Sequence, residues 1–333
     1  MTAAATRPGR SLGQTDGVAH RVGIIGLGTV GGRFVEQFGL HPAFEVSAAW
    51  DRSPDACARY ADEVTVVGSA SEVIDRADAV YIAVPPHHHR EYVEACLASG
   101  TAIFCEKPLG IDVAESEQLV AAVEASDVPA GVNFVYSSAP AAVELGDAVG
   151  GGALGEVVSA ELRLHFAEWP RAWQAEATWL ADRDQGGWVR EVASHHLFLL
   201  GRVLGSTTLE SASATYPEGP DGVRCETHAL AQLSAGDLPI TLAGTVGGAG
   251  PDIVELTVRG TAGSMRVADW YRVESTDGGP WTATSDADRP ALAAAAYAAQ
   301  LDELDAMLSG RPHRLATFDE ALAVQRLAES ILT

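Results

Sequence analysis

At 333 residues the chain is too long for one ordinary core, and two domains are the natural reading. Its 47% apolar and 20% charged residues are those of a soluble globular protein. Acidic residues number 45 against 22 basic ones, and the resulting charge of −23 argues against nucleic acid or an anionic membrane surface as partner.

Residues 1–20 are small and polar with no apolar signal core, and they read as a disordered leader. No apolar run approaches membrane-spanning length. Cys57, Cys96, Cys105 and Cys225 form no Cys-x-x-Cys pair, so reduced thiols in a cytoplasm are the simplest reading.

From Arg21 the text "RVGIIGLGTVGGRFVEQF" passes from an apolar strand through Gly26-x-Gly28-x-x-Gly31 into a helix. Val30, Phe34, Val35 and Phe38 carry the helical spacing. Gly26 permits a tight turn, Gly28 admits a pyrophosphate near backbone, and Gly31 lets helix and strand lie close. The helix start offers free N–H groups to the phosphates. A second strand, "FEVSAAW", ends at Asp51, where a carboxylate suits the adenosine ribose hydroxyls and repels a 2′-phosphate. That favours NAD, although Arg52 and Ser53 follow at once and keep NADP open.

Apolar runs recur at 64–67, 79–84, 102–105 and 130–135 with helical text between them. The alternation predicts an α/β fold, a doubly wound parallel sheet of about six strands, with ligands beyond the strands' carboxyl ends. Lys107 in "TAIFCEKPLG" stands at one of those ends. Three adjacent histidines, 87–89, cannot converge on one ion from a regular element, so no metal is expected there.

After residue 150 come strands of partial alternation, predicting a large, mostly antiparallel sheet, and helical text returns near the end. Three tryptophans, Trp169, Trp173 and Trp179, form either a wall for sugar-like rings or a packing surface, with Arg171 among them as a partner for an anionic group. In "GGWVREVASHHLFLLGRVLG" (186–205), Val192, His196, Leu199, Leu200 and Val203 share an apolar helix face. Glu191, His195 and Phe198 share another, so His195 is the histidine aimed at a cleft and His196 the core one.

The ordered set Gly26 to Gly31, "VPPHHH" (84–89), "EKP" (106–108), "GGALGEV" (151–157) and "GGWVREVASHH" (186–196) resembles the glucose–fructose oxidoreductase / inositol dehydrogenase / MocA family, over nearly the whole chain beyond residue 20. The resemblance implies a leader (1–20), a dinucleotide-binding Rossmann domain (21–140) and a substrate-binding and oligomerisation α+β domain (141–333). It further implies NAD(P)-dependent hydride transfer with a secondary alcohol or ketone of a sugar, cyclitol or similar polyol, in a homo-dimer or homo-tetramer built through the C-terminal sheet. Lys107 would reach nicotinamide and the reacting oxygen, ahead of a cis Pro108. His195 would carry the proton, and Glu191, standing where the family has an aspartate, would orient histidine or substrate.

The implied cofactor contacts are Gly26, Gly28, Thr29, Val30, Gly31, Asp51, Arg52, Pro85, His89, Glu106, Lys107 and Asn133. The implied substrate contacts are Trp169, Arg171, Trp179 and His195. Three alternatives stand beside this reading: an imine or dihydrodiol oxidoreductase, a non-catalytic dinucleotide-sensing regulator, and a redox-neutral lyase or glycosidase that retains NAD.

Overall fold

The computed structural model describes residues 19–217 and 223–333. The expected leader lies outside the described residues except at its end, where His20 opens the first strand.

The first half alternates strand and helix: β1 (His20–Ile25), α1 (Thr29–Leu40), β2 (Phe44–Trp50), α2 (Pro54–Tyr60), α3 (Ala70–Arg76), β3 (Ala79–Ile82), α4 (His89–Ser99), β4 (Ala102–Glu106), α5 (Val113–Glu124) and β5 (Ala130–Asn133). These strands form one parallel sheet in the order β2-β1-β3-β4-β5. Five strands replace the expected six, because 64–67 makes only a one-residue bridge from Val66 to Ala49 at the β2 edge. Side chains alternate across the sheet. Ile25, Val80, Ile82 and Ile103 face one core with Val73, Val93 and Leu119 of the helices. Val22, Ile24, Tyr81 and Phe104 face the other with Phe34 and Phe38 of α1.

The second half runs α6 (Pro140–Gly150), β6 (Val157–Phe166), a π-helical turn (Val189–Ala193) continuing into α7 (Ser194–Leu204), then β7 (Thr207–Thr215), β8 (His228–Ala235), β9 (Leu238–Val246), β10 (Ile253–Gly260), β11 (Ser264–Ala268), β12 (Arg272–Thr276), β13 (Thr282–Ala283), α8 (Arg289–Leu308) and α9 (Phe318–Leu332). Its eight strands are ordered β13-β12-β11-β10-β6-β9-β8-β7, and all neighbours are antiparallel except β6 and β9. Ala160, Leu162, Leu164 and Phe166 of β6 turn inward, towards the helices.

Helix α8 belongs to the second half in sequence yet packs on the first sheet. Leu301, Leu304, Met307 and Leu308 join the core beside Val22, Ile24 and Tyr81. A parallel sheet must be covered on both faces, and α1 alone does not span five strands.

Candidate active site

A cavity of about 870 Å³ opens at the carboxyl ends of the parallel strands. Its nucleotide end begins at the glycine turn. Gly26 adopts φ +102°, and a Cβ there would sit 2.4 Å from the Ala83 carbonyl oxygen. A Cβ at Gly31 would meet the Gly26 oxygen at 1.9 Å, so only glycine lets α1 start this close to β1. Gly28 caps α1 without a side-chain bond, and a Cβ there would meet nothing within 4 Å. Bare backbone at a helix N-terminus thus faces open space, which suits a pyrophosphate. Thr29 and Val30 line the same wall.

Asp51 lines the cavity just after β2. Its Oδ2 accepts from the Leu27 N–H at 2.7 Å and its Oδ1 from the Ser53 N–H at 2.7 Å, which fixes the carboxylate beside the turn. Arg52 points elsewhere. It contacts His88 at 2.9 Å, donates to Glu91 at 3.1 Å and does not line the cavity, a correction to its expected cofactor role. Thr29, Val30, Pro85, Glu106 and Asn133 do line it, so the residues present fit a dinucleotide.

Part of the cavity lining is a buried polar chain. Glu106 Oε1 accepts from the Tyr81 hydroxyl and, at 2.5 Å, from Asn133 Nδ2. Asn133 Oδ1 in turn accepts from Gln300 of α8. Burial raises the Glu106 pKa, and the Lys107 ammonium opposes that rise. His89, like Arg52, is out of the cavity. It is fully buried, with Nδ1 2.8 Å from the Pro108 oxygen and Nε2 2.8 Å from the Val84 oxygen. Burial lowers its pKa to about 4, against the pull of these carbonyls, and the neutral ring donates to one of the two while packing behind the ends of β3 and β4. The His87 and His88 rings lie 3.8 Å apart, with His87 3.0 Å from Gln185 and His88 against Arg52, while His89 is buried away from both.

Lys107 precedes a cis peptide to Pro108 and is 7% exposed. Its Nζ donates to the Glu191 carbonyl at 2.8 Å and to Glu191 Oε2 at 2.5 Å. An ammonium has three donors, so one remains for the cavity. Glu191 is presented by the π turn that precedes α7, and it pairs with Lys107 rather than with His195. Glu191 is expected to orient histidine or substrate; its carboxylate bonds the Lys107 ammonium and makes no bond to His195 among the described residues.

His195 lies on the same wall, with Phe134 and Trp270 edge-on at 5.6 and 5.5 Å. The Val135 N–H donates to its Nδ1 at 3.4 Å, a weak bond that places the neutral ring's own proton on Nε2, and Nε2 has no protein partner among the described residues. Burial, followed by the nearby Lys107 charge, holds its pKa well below 6.5. His196 points away into the core. It contacts the Tyr136 hydroxyl at 3.2 Å and the Val192 oxygen at 3.1 Å, and burial lowers its pKa to about 4.

The tryptophans divide. Trp179, Trp173 and Arg171 line the cavity. Trp169 does not, since its Nε1 donates to the Leu180 oxygen at 2.9 Å and its ring packs on Phe166. Sequence reasoning missed Tyr81, Gln300, Arg33 and Tyr297. Gln300 had a readable signal, as a polar residue one helical turn from both Ala296 and Leu304 on the buried stripe of α8. Arg33 and Tyr297 meet across 264 positions of sequence at 2.9 Å, a contact with no local signature.

A glycine turn on a parallel sheet, a carboxylate at the next strand end and a lysine–glutamate–histidine wall define a dinucleotide-binding protein of the Rossmann class. Residues 20–134 match the model of the Gfo/Idh/MocA oxidoreductase family with its NAD-binding Rossmann fold. The 1,5-anhydro-D-fructose reductase of Ensifer adhaerens is 26% identical, over 64% of this chain and 68% of its own. A myo-inositol dehydrogenase of Streptomyces leeuwenhoekii is 27% identical, over 65% and 69%. With two further curated relatives the match spans 43% and 42% of their length. A levoglucosan dehydrogenase solved with NADH and L-sorbose shares the fold at a TM-score of 0.80 and 18% identity, over 94% of this chain and 96% of that one. Among the described residues no helix is long and apolar enough to cross a membrane.

Proposed function

We propose that the chain is an NAD-dependent oxidoreductase that interconverts a secondary alcohol and a ketone on a sugar, cyclitol or similar polyol. The observation that carries this reading is the convergence of Lys107, Glu191 and His195 on the wall of a cavity that also holds the glycine turn and Asp51. The nicotinamide, when bound, supplies hydride transfer at the substrate carbon.

In alcohol oxidation His195 takes the hydroxyl proton. Its depressed pKa keeps the ring neutral near pH 7, and Nε2 accepts the hydroxyl proton when the ring's own proton sits on Nδ1, which breaks the weak bond from the Val135 N–H. Lys107 directs its third N–H to the same oxygen and stabilises the charge that develops there. Glu191 occupies the other two donors, which aims the ammonium without consuming all of it. A regulator that only senses the dinucleotide has no use for this trio.

Asp51 in the cavity and Arg52 turned out of it support NAD over NADP. We assign substrate recognition and oligomerisation to the second sheet, whose β7 side and Val158 and Leu230 are exposed, and infer a homo-dimer or homo-tetramer. Four free thiols, three of them buried, fit a cytoplasmic protein. The test is NAD reduction across a panel of sugars and cyclitols. Turnover with at least one member is expected. Tight NAD binding without turnover of any polyol, in either direction, would sink the reading.

A further inference from the structure

The substrate end of the cavity carries more positive charge than a neutral polyol needs. Two guanidinium groups pack against one indole: the Arg33 carbon lies 5.2 Å from the Trp173 centroid and the Arg171 carbon 4.7 Å from it. Arg171 also lies 5.3 Å from the Phe166 ring and 5.4 Å from Trp169. Arg33 spends one donor on the Tyr297 hydroxyl at 2.9 Å. Arg171 spends its side-chain Nε on the neutral Gln174 amide oxygen at 3.0 Å. Among the described residues neither guanidinium pairs with a carboxylate.

That is an unusual state for a chain holding 45 acidic and 22 basic residues, where a carboxylate partner is easy to supply. Burial pushes Arg171 down, Glu191 and Asp252 act against that, and Arg33 and the exposed Arg289 repel it further. Like charges half-buried together, with carboxylates near but none paired directly with either guanidinium, are costly unless a ligand neutralises them. Aromatic faces hold these arginines in place and leave the terminal N–H fork of Arg171 and the remaining donors of Arg33 for a ligand, the geometry that recognises carboxylate or phosphate.

Arg171, Arg33 and His195 line the same cavity. A charged group held by the arginines would belong to the molecule whose oxygen meets His195. Building on the oxidoreductase reading above, we propose that the substrate is an anionic polyol, a sugar acid or sugar phosphate, whose charged group is bound by Arg171 and Arg33 against Trp173. The strongly negative surface would otherwise repel such a molecule, so a local arginine pair is needed to select it.

The test is calorimetric titration of NADH-saturated protein with D-glucuronate, D-glucose 6-phosphate and D-glucose. At least one anion is expected to bind about tenfold or more tighter than glucose, and the arm that wins separates carboxylate from phosphate. Arg171→Met should abolish that preference while the NADH dissociation constant stays at the wild-type value, and Arg171→Lys should retain part of it. Equal binding of all three ligands, or an unchanged preference in Arg171→Met, overturns the proposal. Loss of NADH affinity in Arg171→Met also overturns it, because the arginine would then serve the cofactor's phosphates. Binding is read without turnover, so a chain that fails the polyol oxidation assay can still pass or fail here.

Discussion

Lys107 has one donor left for chemistry because Glu191 occupies two. Lys107→Met keeps the length and removes the charge, and kcat should fall on the order of a hundredfold, the usual loss for one electrostatic contact to a developing oxyanion. NAD affinity should change little, since the phosphates meet the glycine turn. Near-normal kcat in this variant would remove lysine from the mechanism. The two histidines differ in kind. His195→Ala should cost roughly two to four orders of magnitude in turnover, and His196→Ala should instead lower Tm. With His195 held well below 6.5, alcohol oxidation should run flat through pH 6.5 and fall only at lower pH, where the ring protonates. An inflection at the ordinary histidine value would show that Lys107 and burial do not depress it. Asp51→Ala should weaken NAD binding without creating strong NADP binding, because Arg52 is tied to Glu91 and His88.

Among the elements, the π turn that leads into α7 begins on a buried carboxylate. Glu226 is 1% exposed, its Oε1 accepts from the Val189 N–H at 2.8 Å, and its Oε2 has no partner. Burial raises its pKa to about 7, while the Val189 hydrogen bond and the nearby Arg190 oppose the rise and Glu329 reinforces it. The sign follows: the folded state holds a proton that the unfolded state releases above 4.5, so this stabilisation is complete below pH 4.5 and is lost as pH rises through 7. Glu226→Gln should therefore raise Tm at pH 8 relative to the parent and matter little at pH 5. Equal Tm differences at the two pH values would contradict the buried, protonated carboxyl. Packing on the sheet is as strict. A Cβ at Gly244 would lie 2.1 Å from the fully buried Trp188 ring, so Gly244→Ala should destabilise by about 1–3 kcal/mol, read in denaturant melts.

For the whole molecule the acid side is governed by buried histidines. His89 and His196 have folded pKa values of about 4 against 6.5 unfolded, so the unfolded chain binds more protons between those values. Stability should fall as pH drops from 6.5 towards 4, by on the order of 3 kcal/mol for each histidine. Glu226 has the opposite slope and offsets part of this loss. The measurement is Tm across that range for the parent and for His196→Phe, whose slope should be shallower.

The sequence by itself determined the alternating α/β half, the glycine turn, Asp51 at the second strand end and Lys107 at the fourth, because strand period, helix period and glycine placement are local properties. The contrast between His195 and His196 was legible for the same reason, as two neighbours on a helix face different ways. Tertiary structure alone decided the rest. Arg52 and His89 left the cavity because their partners, Glu91 and the Val84 and Pro108 carbonyls, are set by how α4 packs on the strand ends. Glu191 reached Lys107 across 84 positions through a π turn that no periodicity announces. Helix α8 crossed back to bring Gln300 and Tyr297 to the first sheet, and Arg33 met Trp173 only once both halves had closed on the cavity. Contacts of this kind depend on which surfaces remain uncovered after the local elements form, and a linear pattern of residues carries no record of that.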